Sequence, residues 1–570
     1  MKTAKSGADW CAILARAWID FSVIETPVLI VGGGPAGATL AAEIGWRGGA
    51  CILIDQGDGQ NPHPRANMAG QRSMEIFRRW GLADQVLQAS LPPDYPIDVI
   101  FTTRLRGHEI HRFSLTSSAD FMAPTDALRA SLPDVDWSPY FKTQIGQNYL
   151  EPVICAFAAS HDKVQIRHHW QLQSFTQDAD GVTAQIQHTQ SGALETVRAA
   201  HLVGCDGGRS VVRQRLGIQF TGRGALARNL GIYFRSPGFT KAHPCGRGTL
   251  LWTLAPDCRG VFIAVDGNEY WTYNRYFVRE DDPQDPREQI RQAVGGDLPL
   301  DILSVQPWTG YQVVAERYQH GRVFLCGDAA HLFNPTGGFG MNTAIGDAAD
   351  LGWKLAALQA GWGGDTLLES YAIERQPIGV RNTTEAAGNF DRVSGLMQLP
   401  KEIEADTAAG DALRQDVATR VQGQKKTWSA SGMHLGYRYE HSPIIVPDDT
   451  PPPPDTPQMY VPTSRPGHRA PHCWLSPGHS TLDLVPREGM ALLRFDRSDT
   501  PLPFASAAQA IGMPYTEHRI QDPQASALYA YRYVFIRPDG HVAWRSQTPP
   551  VHARHILDTA RGALSKEQRP

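Results

Sequence analysis

The strongest constraint on this chain is a turn between two regular elements. The apolar run Val28-Leu29-Ile30-Val31 stops at Gly32-Gly33-Gly34-Pro35-Ala36-Gly37, and a small-residue helix pattern follows from Pro35 to about Trp46. A second apolar run, Cys51-Ile52-Leu53-Ile54, ends at Asp55. Strand, glycine turn, helix and strand in this order open a doubly wound α/β domain. Gly32 makes the tight turn. Gly34 lets backbone N–H groups approach a pyrophosphate, and Gly37 lets helix and strand pack closely. Asp55 lies 18 residues past Gly37, where a carboxylate accepts hydrogen bonds from ribose hydroxyls. The turn by itself fits either NAD or FAD.

A second nucleotide-type unit comes late. Val323-Phe324-Leu325-Cys326 reads as a strand, followed by Gly327-Asp328, a Gly-rich loop and a helix from roughly Asn342 through Leu358. Met74, Phe77 and Trp80 fall near helical spacing, so an amphipathic helix is expected from Gln71 to about Leu82. Val182 to Ile186 and the aromatic block Tyr270 to Phe277 read as strands. Residues from about 365 to 435 are helical in composition. Pro451 to Pro454, inside a Pro-rich stretch from Val446 to Pro457, favour an extended spacer before a small separate α/β domain.

Composition removes several function classes. Lys plus Arg number 54 against 58 Asp plus Glu, a net charge of -4, so there is no basic excess to release counterions from a nucleic acid. The eight cysteines form no CxxC pair and give neither a zinc spacing nor a disulfide framework. No metal site is expected, and a reducing, cytoplasmic setting is. No run of 18 apolar residues suggests a transmembrane helix, so no membrane partner is expected. The apolar stretch Trp10 to Leu14 is interrupted downstream by Arg16 and Asp20, and reads as an extra N-terminal helix rather than a signal peptide.

Two further stretches decide between cofactors. They are Cys205-Asp206-Gly207-Gly208-Arg209-Ser210-Val211-Val212-Arg213, and Gly327-Asp328-Ala329-Ala330-His331 continuing to Pro335 and Gly337-Gly338-Phe339-Gly340-Met341-Asn342. Here the chain resembles the group A flavin-dependent aromatic hydroxylases, and within them the phenol and chlorophenol hydroxylase branch. His63-Pro64-Arg65-Ala66, Gln71 to Glu75, Gly146-Gln147 with Leu150-Glu151-Pro152, and Glu374-Arg375-Gln376-Pro377 extend the match. Arg465 to His472 and Arg537-Pro538-Asp539-Gly540 resemble the thioredoxin-like domain appended to this branch, here without CxxC.

The resemblance implies an α/β protein: a Rossmann-like FAD-binding domain interleaved with a mixed-sheet substrate domain, plus a thioredoxin-like C-terminal domain. The implied layout is an N-terminal extension at 1–26 and the interleaved domains at 27–440, with substrate parts at about 90–140 and 215–315. A Pro-rich linker at 441–460 and the thioredoxin-like domain at 461–570 complete it. Gly32, Gly34, Pro35, Ala36 and Gly37 would hold the FAD pyrophosphate and Asp55 the adenosine ribose. Arg65, Gln147, Gly327 and Asp328 would serve the ribityl and phosphate region. Asp206 to Arg213 would serve both FAD and NAD(P)H, although Arg213 equally fits a surface salt bridge. Gly338, Gly340, Met341 and Asn342 would present backbone N–H groups to the isoalloxazine, where donors stabilise the negative charge of reduced flavin.

The implied reaction is hydroxylation of a phenolic substrate by O₂ through a C4a-hydroperoxyflavin, with NADH or NADPH as reductant and a homodimer as the assembly. Such an oxidant must be kept from water, and the phenol must be oriented and deprotonated. Pro335 is expected to line the flavin's reactive face. Tyr273, Arg275 and Trp271 are expected to floor the substrate pocket. Asn67 stands where related enzymes place an acid or histidine; it can orient a phenol but cannot take its proton. His331 is a further candidate base. A polycyclic phenolic natural product is the alternative substrate, and a non-enzymatic FAD-binding redox sensor the distant alternative function. A Trp-x-Trp-x-Ile-Pro stretch, the mark of a flavin halogenase, is absent.

Overall fold

The computed structural model describes residues 23–279, 282–423 and 430–565. The N-terminal helix expected around Trp10 lies outside them. The first sheet has eight strands, of which five are parallel, in the spatial order Val323–Leu325, Leu194–Gly204, Ile24–Val31, Cys51–Asp55 and Val164–His168; Gln319–His320, Trp170–Gln177 and Val182–His188 pair antiparallel. The central apolar runs are continuous rather than alternating because both faces are buried in one apolar cluster. Leu29, Ile30, Ile54, Leu202, Val203, Phe324 and Leu325 are all completely buried. The carboxyl ends of the central strands carry Gly32, Asp55, Asp206 and Gly327. That is the edge at which open α/β sheets bind ligands.

A second, eight-stranded sheet lies across that edge. Its strands are antiparallel except where Leu250–Thr253 pairs in parallel with Val99–Thr102. Both of its faces are buried. One packs Ile232, Phe234, Phe262, Trp271 and Tyr273 into a single apolar cluster. The other packs Phe101, Trp252 and Val261 against Val393 and Leu396 of the long helix Glu369–Leu396.

Several element boundaries differ from the sequence expectation. The late helix runs Phe339–Gln359, three residues earlier than Asn342, because Gly338 takes a left-handed φ of 68° and so can start it. The helix from Gln71 ends at Arg79, and a second, Ala83–Gln88, begins after Gly81 at φ 73°. The aromatic strand ends at Arg275.

The C-terminal sheet has the order Tyr515–Arg519, Met490–Arg494, Tyr533–Ile536 and Val542–Ser546. The first pair is parallel and the others antiparallel, with helices Phe504–Gln509, Pro523–Tyr529 and Ala553–Ala560 between or after the strands. This is thioredoxin-like topology. The segment is not an isolated unit, because Met490, Leu492, Phe535 and Leu557 share one apolar cluster with Trp353, Trp362 and Leu367. The proline-rich segment is fastened rather than loose: Arg438 donates to Pro453 O at 2.6 Å and Val446 N to Ala543 O at 2.9 Å.

Buried ion pairs complete the junction. Glu75, on the Gln71–Arg79 helix, receives Arg72 Nη1 at 2.8 Å and Arg469 Nε at 2.9 Å. Glu374 receives Lys354 Nζ at 2.6 Å and Arg537 Nη1 at 2.5 Å. Burial alone would raise the Glu75 pKa, but Arg469 and Arg72 overcome it and hold the carboxyl at about 2. A carboxylate lowered on folding adds stability that is complete above its ordinary 4.5 and lost as pH falls towards about 2. Glu75→Gln leaves Arg469 buried and uncompensated, and is expected to cost about 3 kcal/mol at neutral pH. The gap in thermal midpoint between the variant and the parent should shrink as the pH is taken from 5 to about 2; a pH-independent gap would contradict this assignment.

Candidate active site

The three glycine-containing stretches meet at the carboxyl edge of the first sheet. Gly32 has φ 108°, and a Cβ there would lie 2.4 Å from Cys205 O; a Cβ on Gly37 would lie 1.9 Å from Gly32 O. A Cβ on Gly327, at φ 63°, would lie 2.8 Å from Ala36 Cβ and 3.1 Å from Ala344 Cβ. Arg213 ties the second stretch to the third, with Nη1 3.2 Å from Gly208 O and 3.4 Å from Ala329 O. It is therefore an internal tie rather than a surface salt bridge, and it stacks over Phe220 at 3.8 Å.

Gly34 behaves differently from its neighbours. A Cβ on it would find only Glu151 Oε1, at 4.0 Å. It precedes Pro35 as the N-cap of helix Pro35–Trp46, and no side chain caps that helix. Its first N–H groups therefore point into open space, as a pyrophosphate requires. Asp55 Oδ2 accepts from Gly33 N at 2.6 Å and Oδ1 from Gly57 N at 2.7 Å, which fixes the turn and leaves lone pairs for a ribose. Gln147 Nε2 donates to Glu151 Oε1 at 2.6 Å, and Asn61 Nδ2 to its Oε2 at 2.8 Å.

Asp328 is accessible from the cleft, yet enclosed deeply enough that burial raises its pKa; His331 and Arg65 pull the other way. Burial raises the Glu151 pKa, and the exposed Arg65 opposes that rise as it does at Asp328, so it stands near both carboxylates. Asp206 accepts from Val212 N at 3.1 Å and is likewise raised by burial.

The Phe339–Gln359 helix aims its amino end at the same cleft. Gly337 at φ 105° and Gly338 at φ 68° bend the loop into it, and no side chain caps the helix. Asn342 acts as a brace: Nδ2 donates to Gly338 O at 2.7 Å and Met68 O at 3.1 Å, while Oδ1 accepts from Gly70 N at 2.6 Å. Its side chain is committed, so the groups offered to a ligand are the backbone N–H donors from Gly340 onwards. Pro335 is exposed at the loop. A planar group with acceptor atoms on one edge fits these donors, and a pyrophosphate fits Gly34. The donor set thus suits FAD.

The substrate-side expectations divide. Asn67 lies at the cleft's margin, half-buried, with its carbonyl accepting from Ile145 N at 3.0 Å. Tyr273, Arg275 and Trp271 are not brought to the cleft. Tyr273 is fully buried on the opposite face of the second sheet and donates to Cys258 O at 2.9 Å. Arg275 pairs with Asp282 and donates to Asp257 O at 2.7 Å. Strand alternation turns Thr272 and Asn274 the other way, opposite Tyr233 and Gly231. That face meets His63, whose Nε2 would be 2.8 Å from a Cβ on Gly231 and whose Nδ1 is 2.7 Å from Ser304 Oγ. Both faces of the sheet are apolar, so the sequence did not reveal the phase; His63, one residue-pair before Arg65, was the available pointer. His331 is also withdrawn from the cleft. It is fully buried, with Nε2 2.6 Å from Asp347 Oδ2, and Asp347 is held ionised by Arg375.

Comparison with known proteins agrees with this geometry. Residues 25–386 match the family model for the FAD binding domain, and residues 463–564 the model for the aromatic-ring hydroxylase C-terminal region. The chain is 33% identical to tetracenomycin B2 monooxygenase-dioxygenase of Streptomyces olivaceus, over 94% of this chain and 98% of that protein. It is 29% identical to 2,4-dichlorophenol 6-monooxygenase of Cupriavidus pinatubonensis, over 94% and 96%. Among solved structures, the rebeccamycin biosynthetic enzyme RebC with reduced flavin superimposes with a TM-score of 0.86 at 36% identity, over 95% of this chain and 100% of that one.

The two glycines of the first turn should separate under substitution. Gly37→Ala is expected to disrupt the fold, seen as loss of the thermal transition, since its Cβ would sit 1.9 Å from Gly32 O. Gly34→Ala is expected to fold normally and yet weaken FAD binding about tenfold, read from the flavin-to-protein absorbance ratio after dialysis, because the methyl group occupies the pyrophosphate's approach.

Proposed function

We propose that this chain, which belongs to the FAD-dependent aromatic-ring hydroxylases, is a monooxygenase that hydroxylates a phenolic substrate with O₂ at the expense of NADH or NADPH. The observation that carries the reading is the convergence of the Gly32, Asp206 and Gly327 stretches around one cleft closed by an uncapped helix end. Bound FAD supplies the redox chemistry there: it accepts electrons from the reductant and activates oxygen.

The chain's own residues do the rest. Gly34 and the start of the Pro35–Trp46 helix take the pyrophosphate, Asp55 the ribose, and Arg65 with Asp328 the ribityl and phosphate region. Gln147 acts through Glu151, which it orients. The amino end of the Phe339–Gln359 helix places positive potential at the flavin edge where reduction puts negative charge. Asn67 orients the phenol by hydrogen bonding. It has no basicity to remove the proton, and His63, whose pKa burial and Arg65 lower, is the imidazole on the cleft side of the second sheet that takes this part. Phe101, Trp252 and Trp308 supply a dry aromatic wall that excludes water.

A polycyclic phenol is favoured over a single ring, because the relative named for tetracenomycin is more similar than the one named for dichlorophenol. Homodimer formation and a cytoplasmic location belong to the same reading. The seven cysteines of the described residues are all unpaired, in keeping with a reducing compartment.

The purified protein should be yellow, and its NAD(P)H oxidation should accelerate with a suitable phenol, giving a product heavier by one oxygen atom in mass spectrometry. Asn67→Ala should raise KM for the phenol about tenfold while FAD content stays at the parent level. A colourless protein that takes up no FAD on reconstitution would overturn the proposal.

A further inference from the structure

A carboxyl group stands where the phosphates of the cofactor arrive. Glu151 Oε1 is 4.0 Å from the position of a Cβ on Gly34, the glycine that opens the pyrophosphate's approach. Glu151 lies one turn into the helix Gln147–Ala159 and is buried. Two amides hold it: Gln147 Nε2 donates to Oε1 at 2.6 Å and Asn61 Nδ2 to Oε2 at 2.8 Å. Neither donor carries a charge.

The surroundings of Glu151 favour the acid over the carboxylate. Burial acts first, and Asp55, at the end of the Cys51–Asp55 strand, acts in the same direction. The two amides and Arg65 oppose them without cancelling the rise. Cys155, one turn further along the helix, is pushed up to about 11 by burial, then by Glu151 and Asp55, so it faces them as a neutral thiol. A pyrophosphate diester brings two more negative charges and keeps both throughout the ordinary pH range. A carboxylate beside them would be a like charge in a confined site, which favours its protonated form. The hydrogen bonds present leave room for that form. A carboxyl hydroxyl oxygen accepts one hydrogen bond and donates another. Oε1 already accepts from Gln147, so a proton on it is directed to the open space before Gly34, while Oε2 goes on accepting from Asn61.

We propose that Glu151 takes up a proton from solvent as FAD binds and donates it in a hydrogen bond from Oε1 to a pyrophosphate oxygen, so that cofactor affinity is coupled to pH. The residue thereby serves retention of the cofactor and takes no part in oxygen chemistry. The inference needs FAD binding only; it does not rest on the hydroxylase reading.

The sign follows from linkage. FAD binds the protonated enzyme best, so its dissociation constant rises with pH. The FAD-loaded full-length chain is diluted at a series of pH values, and released FAD is read from the recovery of its fluorescence. The constant of the parent is expected to rise at least about tenfold between about pH 5 and about pH 8. Glu151→Gln is neutral and keeps an N–H donor, and the amides of Gln147 and Asn61 can turn a carbonyl towards it. It should bind FAD at every pH about as tightly as the parent does at about pH 5. Glu151→Ala has no donor and leaves both amides unanchored, and should bind about tenfold more weakly than the Gln variant. Mixing FAD with flavin-stripped parent in weak buffer near neutral pH, followed with an indicator dye, should show proton uptake that Glu151→Gln lacks. A dissociation constant of the parent that does not change with pH overturns the proposal. So does one that falls as pH rises with Glu151→Gln the weaker binder, which would make Glu151 a carboxylate accepting from ribose hydroxyls. A slope that persists in the Gln variant assigns the titration to Asp328, Asp206 or His63 and overturns it as well. The pH profile and proton uptake of the parent need no variant, so a substitution that fails to fold leaves the proposal open to refutation. Failure of phenol-stimulated NAD(P)H oxidation is detected separately and counts against the hydroxylase reading alone.

Discussion

Everything at the cofactor cleft depends on backbone approaching backbone with no side chain between. At Gly32, Gly37 and Gly327 the space that a single methyl group would fill is already taken by a carbonyl oxygen or by a neighbouring alanine. This contact brings the ends of three parallel strands to a common edge, and the hydrogen-bonding groups there follow from it. Arg213 reinforces the junction from behind by donating to carbonyls of both later stretches. The free N–H groups of two helix ends are left facing the same opening. Van der Waals exclusion, more than any charged pair, sets the cofactor geometry.

The second sheet is a partition. Its far face is a packed aromatic core, and its near face carries the groups that a substrate can meet. The division explains why chemically suggestive residues sit where they cannot act. Tyr273 and Arg275 have the right character for phenol recognition, but the first is bonded to a carbonyl in the core and the second to Asp282. Asn274 and Thr272, their less conspicuous neighbours, face the cleft's side. His331 likewise serves in a buried chain with Asp347 and Arg375, which braces the helix whose amino end faces the cleft.

Much of the nucleotide site was legible because its demands fall on glycine and on strand ends, which leave sharp local signatures. The Gly32 to Gly37 turn, Asp55 and the Gly327-Asp328 pair could be placed from their flanking runs alone. The substrate side was less legible. A strand buried on both faces lacks the polar and apolar alternation that would reveal its phase, so Tyr270 to Arg275 gave the strand but not the direction of its side chains. The start of the late helix was misplaced by three residues, since an uncapped helix that begins at a left-handed glycine has no Ser, Thr or Asp to announce it. The buried pairs of Glu75 and Glu374 join residues 394 and 163 positions apart, and no local pattern marks them.

Those pairs also govern how the molecule can be recombined. The thioredoxin-like segment supplies Arg469 and Arg537, and the body supplies the carboxylates they neutralise. A tail grafted from a relative would have to arrive with guanidinium groups in register, or Glu75 and Glu374 would keep only Arg72 and Lys354 as cationic partners in the interior. Modularity suggested by the proline stretch is therefore illusory: body and tail form a lock and its matching key, exchangeable only as a set.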